Sequence, residues 1–408
     1  MRTISFIILM TGLLGAASCL KPSDSDMQVS LPIPHSGTDI HEVLAQQPGL
    51  ALYNQAYTRL GIDKEMDHNK GYTIFAVKDA GMIAAGLTAE KISSLPLDSL
   101  AKLIRYHNLS GALDDNAILS AAFTLITSTL RQDTVPYRDH YEQLVLPRLY
   151  ISGNDKLYLN DYPVSALPSA IKAANGYIYA VDSLVQPPAA RTVLEIVDED
   201  PELSLYRFAL NLRDSLFRDP VEAWGYFDDL TCSDTFFFAT AFNQYGQAMT
   251  HKPTVLAPTN DAFRAAGLHT EEDIRNFALS VPMEVYIDYN TYMMYINYSP
   301  LDSILKRHII YNEELINQAR LPLLYYDLAK PAFSSSALNV YKRGISFFGP
   351  LSYKKETYKL QFSVSNGDLK VRYNPGPGGV ANIIRQPGNK GIGINGAVYK
   401  TDQLFKPQ

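Results

Sequence analysis

The sequence is poor in cysteine, with two among 408 residues, Cys19 and Cys232. That excludes a disulfide framework, so stability has to come from hydrophobic cores. Beyond residue 14 it lacks any apolar run near the roughly 20 residues a bilayer span needs. It lacks a strong charge of either sign. A net charge of −6 is mild for this length and argues against a nucleic-acid partner. The signatures of catalysis are missing as well. There is no Gly-x-Ser-x-Gly elbow. His41-Glu42 begins like a zinc-protease helix, but position 45 is Ala, so the second histidine ligand is absent. Gly391 to Gly396 satisfies Gly-x-Gly-x-x-Gly, yet too little chain follows for the helix, second strand and distal acid of a dinucleotide site. Asp63, Asp67 and Asn69 before Gly71 fail the spacing of an EF-hand and lack its closing glutamate. These absences predict a protein with no cofactor, no metal site and no catalytic residue.

The N-terminus carries the clearest local signal. Met1-Arg2 is followed by an apolar run from Ile4 to Leu14, then by Gly15, Ala16, Ala17 and Ser18. Charge, apolar core and small residues in that order read as a secretory signal over residues 1–18. Ala16-Ala17-Ser18-Cys19 resembles the lipobox of bacterial lipoproteins, which implies lipid attachment at Cys19 and leaves Cys232 without an intrachain partner. Acyl chains contribute about 0.8 kcal/mol per buried methylene, so several on one cysteine anchor firmly. Residues 19–36 are polar at first and aperiodic, and read as a flexible tether. Asp24 and Asp26 resemble, weakly, the acidic signal that sends some lipoproteins to the cell surface. The expected location is therefore the outer membrane, lipid-anchored and facing the exterior or the periplasm.

The rest of the chain repeats itself. Ile40-His41-Glu42-Val43-Leu44 matches Val193-Leu194-Glu195-Ile196-Val197, and both run on without a gap to Leu50-Ala51-Leu52-Tyr53 and Leu203-Ser204-Leu205-Tyr206. Thr73 to Val77 matches Thr254 to Pro258, and both are β-rich apolar runs that predict buried strands. Leu100 to His107 matches Leu301 to His308, and Asn175 to Leu184 matches Asn395 to Leu404. Asn-Gly before alternating residues signals a hairpin. Pro48 and Pro201 predict a helix break followed by a second helix starting on the proline. The offset is 153 at Tyr53/Tyr206, 181 at Thr73/Thr254, 201 at His107/His308 and 220 at Asn175/Asn395. The second copy thus carries insertions of 28, 20 and 19 residues, and the domains are expected at 37–188 and 189–408. Insertions settle in surface connections, which often carry function.

These blocks resemble the fasciclin family. Thr254-Val255-Leu256-Ala257-Pro258-Thr259-Asn260-Asp261-Ala262-Phe263 is similar to its first signature. The first copy departs from it at Val77, Lys78 and Asp79. Tyr106-His107 and Arg307-His308 resemble its Tyr-His element, and the Asn-Gly blocks resemble its last strand, with Tyr179 and Tyr399 where a histidine is usual. The resemblance implies an α+β fold: two fasciclin-like domains, each a wedge-shaped two-sheet β core with helices packed along one edge. It implies a non-catalytic role in cell adhesion or protein interaction. Some bacterial lipoproteins of this kind sit beside nutrient-uptake systems, so an accessory lipoprotein that captures a glycan or peptide is the alternative.

Two groups of residues remain as site candidates. His107 and His308 each end an apolar helical run, and a buried histidine there is expected to bond backbone. Tyr286, Tyr289, Tyr292, Tyr295 and Tyr298 recur every third residue in the middle insertion. On a helix, steps of 300° would spread them around the circumference. Two roles are open for them. They form a contact surface for a protein or a sugar, since Tyr is enriched at interfaces, or they pack the insertion onto its own domain. Trp224 and Phe236-Phe237-Phe238 in the first insertion are expected to pack. The expected partner is a protein or glycan at the cell envelope.

Overall fold

The computed structural model describes residues 37–406 except 68–69, 139–141, 154, 167, 189, 223–240, 243–247, 250–252, 282–284, 291–292, 297–298, 311–321, 331–335, 347–351, 375–378 and 387–389. Cys19, Cys232, Trp224, Phe236-Phe237-Phe238, Tyr292 and Tyr298 lie outside the described residues.

In the first half the helices are α1 (Ile40–Ala45), α2 (Ala51–Arg59), α3 (Ile62–Glu65), α4 (Asp79–Ala84), α5 (Ala89–Ser94), α6 (Leu97–Ile104) and α7 (Asp115–Leu119). The strands are β1 (Tyr72–Val77), β2 (Asn108–Ser110), β3 (Leu125–Ser128), β4 (Val135–Arg138), β5 (Glu142–Val145), β6 (Arg148–Gly153), β7 (Leu157–Leu159), β8 (Tyr162–Ser165), β9 (Ile171–Ala173) and β10 (Gly176–Val181). They form two four-stranded sheets, β2-β1-β10-β9 and β3-β6-β7-β8, and a β4-β5 hairpin. The first strand pairs in parallel with the last, Thr73 opposite Tyr177. Every residue of β1 is buried, as its unbroken apolar run requires.

The second half repeats this plan with additions. Its helices are α8 (Val193–Glu199), α9 (Ser204–Glu222), α10 (Asn260–Ala265), α11 (Glu271–Ala278), α12 (Pro300–Leu305) and α13 (Tyr325–Ala329). Its strands are β11 (Ala241–Phe242), β12 (Ala248–Met249), β13 (Thr254–Pro258), β14 (Val285–Asp288), β15 (Met293–Ile296), β16 (Ile309–Ile310), β17 (Ser336–Ser346), β18 (Ser352–Ser365), β19 (Asp368–Asn374), β20 (Val380–Ile384), β21 (Ile392–Gly393) and β22 (Gly396–Thr401). β13 pairs in parallel with β22, Thr254 opposite Ala397, and antiparallel with β16, Val255 opposite Ile309. These are the sequence-matched positions of Thr73, Tyr177, Ile74 and Asn108, so the two halves share one register. Here β20 bonds both β19 and β22, which joins the two sheets into one continuous sheet.

Matched side chains make matched bonds. The Asn175 side chain accepts the Ile40 amide at 2.8 Å, and that of Asn395 accepts the Val193 amide at 2.8 Å. The glycine that follows each asparagine has its own reason. A Cβ on Gly176 would lie 2.0 Å from the Tyr72 carbonyl oxygen, and one on Gly396 would lie 2.4 Å from that of Pro253. Asp79 accepts the Leu52 amide at 2.8 Å, as Asn260 accepts that of Leu205 at 2.9 Å. The departure at position 79 therefore keeps its bond. The departure at 78 does not: Thr259 caps α10 by accepting the Ala262 amide, whereas Lys78 makes no side-chain cap to α4.

The expected break at the prolines holds, but the helix start differs. α2 begins at Ala51, after Gly49 turns the chain with φ +78°. In the second half Pro201–Leu203 forms a 3₁₀ turn, capped by Asp200 on the Glu202 amide, before α9. The first insertion goes in part into lengthening α9 to 19 residues against 9 in α2. The middle one forms the β14–β15 hairpin, which adds to β17 through Met293 opposite Ser346. The described part of the tyrosine-rich run is thus a pair of strands and not a helix.

β13 and β22 are buried on both faces. Val255, Ala257 and Val398 pack with α8, α9 and α11, while Leu256, Ala397 and Tyr399 face a second cluster. That second cluster contains Tyr150 and Tyr158 of the first half beside Leu360, Phe362 and Ile383 of the second. One core therefore spans the boundary between the two halves.

Candidate functional site

The two histidines are structural. The His107 Nδ1–H donates to the Phe75 carbonyl at 3.1 Å, and its Nε2 accepts the Val185 amide at 3.1 Å. The His308 Nδ1–H donates to the Leu256 carbonyl at 2.7 Å, and its Nε2 accepts the Phe405 amide at 2.9 Å. The neutral Nδ1–H tautomer is the one in which each ring pairs both a carbonyl and an amide. Burial pushes His107 down to about 4 and His308 to about 3. Both rings are committed to backbone and neither is free to transfer a proton. Each pins the segment that follows its half's last strand, at Val185 or Phe405, to β1 or β13.

Of the five tyrosines, Tyr286 and Tyr295 are Cα partners across β14 and β15. Tyr289 sits in the hairpin turn and is 76% exposed. Leu279 and Val281, which lead into the hairpin, are also exposed. A large aromatic held that far into solvent gains nothing from its own core, so its exposure is available for contact.

The densest polar constellation of the described residues was not marked by any sequence motif. It lies in the seam between the halves. The β7–β8 turn has Asn160 at φ +50° and Asp161 at φ +62°, the left-handed pair that a two-residue hairpin turn demands and that Asn and Asp tolerate. The Asn160 side chain stays with the first half, where it accepts the Tyr150 amide at 3.1 Å and donates to the Tyr106 hydroxyl at 2.8 Å. The Asp161 side chain enters the second half. Its Oδ2 accepts the Tyr399 hydroxyl and the Tyr325 amide, the latter at 3.3 Å, while Oδ1 is buried with no hydrogen-bond partner. Arg385 Nη1 donates to the Asp161 carbonyl at 2.9 Å and to the Tyr326 hydroxyl at 2.7 Å. Its guanidinium lies 4.8 Å from the Tyr325 ring and 5.3 Å from that of Tyr326. Tyr326 stacks on Tyr158 with ring centroids 3.6 Å apart.

A reciprocal contact runs the other way. Asp327 Oδ1 accepts the Thr124 amide at 2.6 Å and the Thr124 hydroxyl at 2.9 Å, and its Oδ2 caps α13 at the Leu324 amide. Lys330 Nζ donates to the Ala121 carbonyl at 2.6 Å. Each half thus buries one carboxylate against donors of the other. Burial raises Asp161 to about 6, and burial likewise raises Asp327.

Against this geometry, a family model for the fasciclin domain matches residues 48–187. Residues 48–187 are therefore a fasciclin domain. Its second half repeats the fasciclin architecture with the same register and the same paired bonds, as an enlarged fasciclin-like domain. A solved FAS1 domain pair from the insect cell adhesion molecule fasciclin I is similar over 88% of this chain and 97% of that one, at 12% identity and a TM-score of 0.32. No curated protein matches the chain. Fasciclin domains are associated with cell adhesion and protein interaction, a non-catalytic role.

Proposed function

We propose that this fasciclin-domain pair is a non-catalytic recognition lipoprotein of the bacterial envelope. Lipid on Cys19 holds it at the outer membrane, facing the exterior, with the first domain as a spacer and the second as the reader. Its ligand is a protein or glycan at the cell surface.

The observation that carries this reading is the β14–β15 hairpin. It is an addition to the second domain, it lengthens the sheet outward, and it places Tyr289 76% exposed at its turn. Aromatic anchors dominate binding energy at protein interfaces and also stack on sugar faces. The test is an array of glycans and extracellular matrix proteins probed with the exported chain. Tyr289→Ala is expected to weaken the binding found by about tenfold, which corresponds to about 1.4 kcal/mol. Binding that survives Tyr289→Ala unchanged would move the contact surface off the hairpin. Absence of any binding by the wild type would sink the recognition reading.

A further inference from the structure

We propose that the seam between the two fasciclin domains is an acid-tightened joint, in which protonation of the buried Asp161 carboxyl strengthens the docking of the first domain on the second. The inference stands on the seam itself and does not depend on what the second domain binds.

Three features of the geometry carry it. The turn cannot swing, because Asn160 ties its other residue to Tyr150 and Tyr106 of the first domain. Docking therefore obliges Asp161 to enter the second domain. Once there, its carboxyl is buried and poorly solvated for a charge. Both donors, the Tyr399 hydroxyl and the Tyr325 amide, bond Oδ2, and Oδ1 has no partner. A carboxylate in that position leaves charge on an oxygen with no donor, which costs more than the unpaired O–H of the neutral carboxyl.

The charged and titratable groups around it do not cancel the effect. From β22 comes Tyr399, and from α13 come Tyr325 and Asp327. Asp327 is a second buried carboxylate that opposes ionisation of the first. After β20 comes Arg385, which favours the charge but spends Nη1 on the Asp161 carbonyl and the Tyr326 hydroxyl. Lys330 lies by Asp327 and donates to Ala121. On its own side, Asp155 is occupied by the Tyr158 hydroxyl at 2.7 Å. Burial is the largest influence and raises the group from 3.8 to about 6.

The sign follows from proton counting. Between roughly pH 4 and pH 6 the docked Asp161 holds a proton that the undocked one has lost, so docking binds a proton. Docking strengthens as pH falls from about 6 toward 4 and sits at its weaker, pH-independent level above about 6. The buried histidines act in the opposite sense, because they resist protonation in the folded domains. A seam-specific readout separates the two.

The Thr124 amide supplies one, since its bond to Asp327 crosses the seam. Hydrogen exchange on the full exported chain, corrected for intrinsic rate, should show its protection about tenfold higher at pH 5.0 than at pH 7.5. Asp161→Asn keeps the left-handed turn and carries no titrating group. There the difference should shrink to the part that Asp327 contributes, while the Ala76 and Ala257 core amides respond to pH as in the wild type. Tyr399→Phe is the second variant, for the case in which Asp161→Asn does not dock. It removes a bond that favours the charged form, so the midpoint of the pH response should move upward. A wild-type Thr124 amide indifferent to pH, an unchanged response in Asp161→Asn, or an unmoved midpoint in Tyr399→Phe would each overturn the proposal.

Discussion

Replacing His308 by alanine is expected to destabilise the second domain by about 3–5 kcal/mol. The ring closes two buried backbone groups, the Leu256 carbonyl and the Phe405 amide, and stacks on Phe405 at 4.1 Å. Removing it leaves both groups unpaired, at about 1–3 kcal/mol each, and opens a cavity beside the ring of Phe405. Urea denaturation followed by circular dichroism measures the loss. A change under 1 kcal/mol would mean that the terminal segment is held by something other than the histidine. The same residue sets an acid limit. His308 is held at about 3 and His107 at about 4, both below the ordinary 6.5, by burial. The unfolded chain binds those protons first, so their contribution is complete above about pH 6.5 and is lost as pH falls toward 4 and 3.

Tyr326→Ala should uncouple the domains. Tyr326 is buried and stacks on Tyr158 of the other domain, and it gives Arg385 a hydrogen-bond acceptor and a ring face. Aromatic-to-alanine changes in a packed site cost about 3–5 kcal/mol, and an aromatic pair adds about 0.5–1.5 kcal/mol beyond its burial. The loss here falls on docking more than on either fold. The urea transition of the variant is therefore expected to separate into two steps, with the first domain retaining its own midpoint. A single transition displaced as a whole would instead place Tyr326 in the second domain's core alone.

Much of this architecture was legible in the sequence, for identifiable reasons. The β13 run, Thr254 to Pro258, is apolar on both faces, and only a strand packed on two sides asks for that. The matched blocks located the shared register because their conserved duties are local: Asn175 and Asn395 cap a helix start, and Gly176 and Gly396 admit a carbonyl that a Cβ would strike. The helix starts three residues after Pro48, since Gly49 and Leu50 first turn the chain. The three-residue spacing does not announce that Tyr286 and Tyr295 are on strands, because β15 is held by pairing with β17, far along the chain. The seam was invisible for the same reason in stronger form. Asp161 meets Tyr399 across 238 positions, and Thr124 meets Asp327 across 203. No local period records such pairs. The one available trace was the Asn160-Asp161 turn between alternating residues, which signals a hairpin but not what lies beyond its tip.

If the two fasciclin domains share one core through Tyr150, Tyr158 and the Tyr325–Asp327 helix, they should melt as one body. Differential scanning calorimetry of the wild-type chain at neutral pH tests this most directly. A single heat-capacity peak whose calorimetric and van't Hoff enthalpies agree is the expected result. Two resolved peaks, each with the enthalpy of one domain, would contradict the account.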